Sequence, residues 1–138
     1  MKQPEEVRAE FTREWVRKAE HDFVTAEHLF KSGEAYLEGA AFHAQQAAEK
    51  YLKAFLVWHQ IEFQKTHDIA TLLRLATSLA SDMAQVLEDA GTLTPYGVEY
   101  RYPGDYPDVT VGDAEQALHL ASRVRTDIRK RLPPHTLE

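Results

Sequence analysis

The sequence predicts an all-α protein, an up-and-down bundle of four to five helices with a long loop before the last helix. Three observations lead there. Apolar residues recur at spacings of three and four along most of the chain, period-two alternation is almost absent, and the apolar stripes break at Gly, Pro, Asp and Thr. With 138 residues, 43% of them hydrophobic, the chain can bury one core, so it reads as a single domain over 1–138 with its helical body at about 12–132.

Each element has its own signal. From Thr12 to Ser32, Trp15, Ala19, Phe23, Ala26 and Phe30 form one helical stripe, and Gly33 supplies the stop. A second stripe from about Tyr36 to Gln60 runs through Leu37, Ala41, Ala44, Ala48, Tyr51, Leu52 and Phe55, its alanines suited to close helix contact. At 1.5 Å per residue these two helices would be about 30 to 37 Å long, and the few residues between them predict an antiparallel hairpin. Thr66 can cap a third helix carrying Ile69, Leu72, Leu73, Ala76 and Leu79, and a short fourth segment offers Met83, Val86, Leu87, Ala90 and Leu93. Thr110 and Asp113 have capping-box spacing and open a last helix with Ala114, Ala117, Leu118, Ala121, Val124 and Ile128 inward; Pro133 and Pro134 stop it.

Composition removes several function classes. Without cysteine there is no disulfide framework, thiol nucleophile or cysteine-based zinc site. No apolar run approaches the roughly 20 residues needed to cross a bilayer, and the first residues lack a signal-peptide core, so a cytoplasmic location is expected. A net charge of -6 argues against an overall basic coat for nucleic acid but leaves a local patch open. No cofactor is expected. His21 and His28, seven residues apart, are a weak metal signal without a third ligand, so no metal site is expected either.

Some residues break the helical pattern. Asp22 falls above Trp15 inside the first apolar stripe, where an unpaired carboxylate would cost several kcal/mol; it must meet a cation or reach water. Along the second helix a further stripe of Phe42, Gln45, Gln46, Glu49, Lys53 and Leu56 has apolar ends and a polar middle. That composition suits a homodimer interface or a polar groove, whereas a solvated Glu49–Lys53 pair is the plainer reading. His67 and Asp68 stand where the third helix begins, and His67 can serve the turn or a site. The last helix ends in Arg123, Arg125, Arg129, Lys130 and Arg131. These cations complement the helix dipole, or would form a phosphate track if aligned with Arg101 and Lys53.

The segment from Phe42 to Leu73, "FHAQQAAEKYLKAFLVWHQIEFQKTHDIATLL", resembles the signature of the HEPN domain, the nucleotide-binding domain of higher eukaryotes and prokaryotes. The matching pieces are Ala44 to Ala54, Lys65 to Ile69, Asp22 in the first helix, and Arg101, Tyr102 and Pro103 late in the chain. The likeness spans about Glu14 to Leu132. It implies a helical bundle, a homodimer, and frequent pairing with a small nucleotidyltransferase as toxin and antitoxin. Some members are metal-independent ribonucleases, with an arginine followed after four to six residues by a histidine.

That motif is incomplete here. Arginine can stabilise phosphodiester charge and histidine can move a proton near neutral pH. After Arg101, however, the four residues "YPGD" lead to Tyr106, whose ordinary pKa near 10 makes it a poor base. "RKRLPPH", Arg129 to His135, has the spacing but lies at the chain end beyond two prolines. Three readings follow: a non-catalytic module that binds nucleotide or RNA or pairs with a nucleotidyltransferase, a ribonuclease using Arg101, or a scaffold for dimerisation. The first is favoured. The expected site comprises Asp22, Gln46, Glu49, Lys53, His67, Asp68, Arg101, Tyr102 and Tyr106. Its tyrosines lie in a connection from Pro95 to Val111, where Arg101 could meet phosphate or a carboxylate such as Asp22 or Glu49.

Overall fold

The computed structural model describes residues 3–98 and 108–138. Its helices are α1 (Pro4–Lys31), α2 (Leu37–Trp58), α3 (Ile69–Thr77), α4 (Met83–Leu87), α5 (Thr94–Val98) and α6 (Val111–Arg131), and no strand occurs among the described residues. Tight 3-10 turns occur among the described residues at Glu34–Tyr36, Glu88–Leu93 and Pro134–Thr136. This is the all-α bundle that the apolar periodicity predicts.

The helix α1 starts at Pro4, ahead of the expected Thr12. Proline's fixed φ suits the first helical position, and Glu5 and Glu6 meet the positive end of the helix dipole. Gly33, at φ 113°, ends the first helical segment in a conformation that a side chain would strain. The buried face of α1 is Ala9, Val16, Ala19, Phe23 and Ala26; Trp15 packs partly buried against this core, and Phe30 is only partly buried.

The central helix is α2, packed against α1, α3, α5 and α6. Ala40, Ala41, Ala44, Ala47, Ala48 and Ala54 are fully buried, which lets neighbouring backbones approach from several sides. One core stripe was expected on α2 with a second stripe left for a partner or groove. Instead Gln45, Glu49, Lys53 and Leu56 are also covered within this one chain, at 5% exposure or less, while Phe42 and Gln46 stay partly buried.

Asp68, rather than Thr66, caps α3: its carboxylate accepts from the Ala70 N–H, and Thr66 closes the preceding turn by accepting from the Asp68 N–H. Ile69, Leu72, Leu73 and Ala76 are buried, but the helix stops at Thr77 and Leu79 is exposed. Among the next residues Met83, Leu87, Ala90 and Leu93 face the core, whereas Val86 is exposed. Part of the expected long connection is helical, because Pro95 sits in the first turn of α5, where its missing N–H does no harm.

The capping box of α6 is complete. Thr110 Oγ1 accepts from Asp113 N, and the Asp113 carboxylate accepts from Thr110 N, both at 3.0 Å. Leu120 is buried where Leu118 was expected, and Leu118 packs at the edge. Beyond Arg131 the tail folds back onto α1 and α2. Thr136 is fully buried, His135 meets Trp58 edge to face, and Arg13 donates to the His135 carbonyl, so this end is packed.

Candidate polar seam

Antiparallel pairing of α1 and α2 brings Asp22 beside His43 and Lys50, which lie seven residues apart and so on one side of α2. The buried Asp22 carboxylate accepts from His43 Nδ1 at 2.8 Å through one oxygen and from Lys50 Nζ at 2.5 Å through the other. Of the two ways to satisfy Asp22, a cation or water, the structure supplies a cation, from α2.

A second cluster lies toward the C-terminal end of α2. Glu49 accepts from Lys53 Nζ at 3.2 Å and from His67 Nδ1 at 2.7 Å, with side-chain exposures of 3% for Glu49, 6% for Lys53 and 53% for His67. The Lys53 ammonium stands 5.4 Å from the Trp15 ring centroid and 5.8 Å from that of Phe63, a cation–π setting that replaces part of its lost hydration. Glu49 and Lys53 are thus an internal ion pair, neither a solvated pair nor a face open to a partner.

Amides extend the Glu49 cluster toward α5. Gln45 Nε2 donates to the His67 carbonyl at 3.1 Å, and Gln46 Nε2 donates to Gln45 Oε1 at 2.7 Å. A Cβ on Gly97 would come within 3.0 Å of the Gln45 amide, so glycine lets α5 close onto this layer. Asp68 lies just beyond; the Thr71 hydroxyl, then the α3 amides and Thr94, hold its carboxyl below the usual range. His67 thus anchors the turn into α3 while keeping an exposed ring. Arg101, Tyr102 and Tyr106 lie outside the described residues, in the segment that follows α5.

The cations of α6 are largely committed elsewhere. Arg125 grips Glu20 through both carboxylate oxygens at 2.6 and 2.8 Å, and Arg131 pairs with Asp82 and Asp127. Tyr51 donates to Glu20 and accepts from Arg129; burial, then the Glu20 hydrogen bond, raises its hydroxyl to about 12. Arg123 donates to the Val86 carbonyl. With Lys53 internal, these residues cannot join it in one exposed phosphate track. His21 and His28 are exposed, and among the described residues no three metal-ligating side chains converge.

Sequence reasoning missed His43, Lys50 and the tie that Gln45 makes between Glu49, the His67 carbonyl and α5. The seven-residue spacing of His43 and Lys50 could have flagged a shared acceptor, but the acceptor sits on another helix. A helical bundle with a polar seam through its central helix is the class of protein that the fold defines. The HEPN domain model matches residues 12–131, and the chain belongs to that family. It is similar to the crystal structure of an archaeal HEPN homologue, with TM-score 0.68 and 28% identity over 87% of this chain and 96% of that one. Comparison with curated proteins gives no match. No helix among the described residues is long and apolar enough to cross a membrane.

Proposed function

We propose that this HEPN protein is a non-catalytic binding subunit: a homodimer that binds nucleotide or RNA and works with a small nucleotidyltransferase in a toxin–antitoxin type pair. The observation that carries the binding role is the junction of α2, the turn before α3 and α5. There His67 is held on a buried carboxylate yet keeps a ring that is 53% exposed, and Gly97 seats α5, from which the chain enters the segment bearing Arg101. Such a junction presents an oriented imidazole, and the sequence that follows α5 supplies tyrosines that can stack on bases and an arginine that can meet phosphate. Tyr106 in the place of the ribonuclease histidine supports a binding role over cleavage.

The test is a thermal-stability screen of the purified protein against nucleotides, single-stranded RNA and a partner nucleotidyltransferase. A ligand at 100 times its Kd stabilises by about 2.7 kcal/mol, so a shift of several degrees is expected. No shift with any of them would overturn the proposal. Cleavage of RNA in chelator that disappears in Arg101→Ala would replace it with the ribonuclease reading.

A further inference from the structure

We infer that α5 is a latch over the turn that carries His67: it opens and closes as a local unit, and Thr94 couples its closure to the first turn of α3. The inference deepens the proposed binding role of this junction by naming what regulates it, and rests on that reading only for what the latch serves.

The turn of residues 67–69 lies between two elements and is hydrogen-bonded to both. On the α2 side the His67 ring meets Glu49 at 2.7 Å, and the His67 carbonyl accepts from Gln45 Nε2 at 3.1 Å. On the α5 side Thr94 Oγ1 accepts from the Ile69 N–H at 3.1 Å, while its own hydroxyl reaches Asp68 Oδ1 at 3.4 Å. Ile69 is fully buried, so its amide depends on an acceptor that arrives from 25 residues away. Asp68 caps the next amide, that of Ala70, within its own segment. The start of α3 thus has one cap of its own and one lent by α5. Gly97 closes the unit from its other end: it is buried, and a Cβ there would stand 2.7 Å from Oε1 of the fully buried Gln45.

These polar contacts, more than a buried face, hold α5 down. A helix of five residues has no stability of its own. Of residues 94–97 the one fully covered is Gly97, which has no side chain to bury, and Tyr96 packs partly buried against the core. Leu93, fully buried just ahead, anchors the hinge end. A segment secured by hydrogen bonds with little apolar burial belongs to the low end of local stability and opens while the bundle stays folded. Opening uncovers the Gln45 amide beside His67 and strips Ile69 of its acceptor; closure fixes the turn against α2.

Hydrogen exchange of the full chain, read by NMR, tests this without any ligand. The Ile69 N–H and the Gln45 side-chain amide belong to different helices and are both covered by α5. They should exchange through one common opening, with protection at least about tenfold below that of the backbone amides of residues 44–56. Thr94→Val should speed both by the same factor, about tenfold, the size of one buried donor left without its acceptor, and Thr94→Ser, which keeps the hydroxyl, should restore wild-type rates. Gln45 is not bonded to Thr94, so its response reports the shared opening. Ile128→Val in the core of α6 weakens the bundle with the latch open or closed alike; it should speed residues 44–56 about fivefold and leave the two latch groups unchanged. Latch groups protected as deeply as residues 44–56, a Gln45 amide unmoved by Thr94→Val, or latch groups that follow Ile128→Val would overturn the inference. The two readings fail separately. A latch that behaves as expected without stabilisation by any nucleotide, RNA or nucleotidyltransferase refutes the binding reading alone; such stabilisation together with any of the three overturning outcomes refutes the latch alone.

Discussion

Replacing Lys53 with Met isolates the energy of the internal pair. Glu49 would remain 3% exposed, keeping His67 at 2.7 Å and Gln45 at 3.4 Å but losing its ammonium at 3.2 Å. Removing one partner of a buried pair typically costs about 3 to 5 kcal/mol, and the two surviving hydrogen bonds place this case near 3. Glu49→Gln should cost a similar amount, because among the described residues Lys53 then keeps the Trp15 and Phe63 rings and a neutral amide acceptor but loses its counter-charge. The double variant leaves no buried charge, and exchanging a buried pair for uncharged side chains of similar size is often near neutral, so it should recover to within about 1 kcal/mol of wild type. Urea unfolding followed by circular dichroism measures all three, and each single variant should melt about 10 °C lower. Single losses below about 1 kcal/mol, the range of exposed pairs, or costs that simply add in the double variant, would refute the internal-pair account.

Two further predictions concern the neighbouring layers. The Tyr51 hydroxyl is raised in the folded chain to about 12, from about 10 when unfolded, so its contribution is complete below pH 10 and is lost as pH rises from 10 through 12, by about 3 kcal/mol in all. Tyr51→Phe should be about 1 kcal/mol less stable at neutral pH but lose correspondingly less between pH 10 and 12; an identical alkaline decline in both proteins, measured by urea titration at each pH, would contradict this. Gly97→Ala would put a methyl 2.7 Å from Gln45 Oε1, whose amide is tied to His67 and Gln46, so a loss of about 1 to 3 kcal/mol is expected despite alanine's better helix propensity. A stabilised Gly97→Ala, read by the same urea assay, would show that α5 does not press on Gln45.

Much of the helical framework was legible because its signals are local. The capping box at Thr110 and Asp113, the stop at Gly33 and the stripe of Ile69, Leu72, Leu73 and Ala76 each depend on residues a few positions apart, and each forms as read. The errors follow the same logic. Leu79 and Val86 fit their stripes by spacing, yet both are exposed: α3 ends at Thr77, before Leu79, and Val86 lies on the outer side of α4.

The polar residues divide along the same line. The sequence by itself determined that Asp22 must meet a cation or reach water, that Glu49 can meet Lys53 one turn away, and that Asp68 belongs to a helix start, since each follows from charge and spacing within one segment. Only the tertiary structure decided that the cation for Asp22 is Lys50 with His43 beside it, that His67 bonds Glu49, and that α5 closes over Gln45. Those contacts join residues 18 to 52 positions apart. Whether an amphipathic stripe meets solvent, a partner or its own chain depends on what packs across it, and helical period carries no information about that.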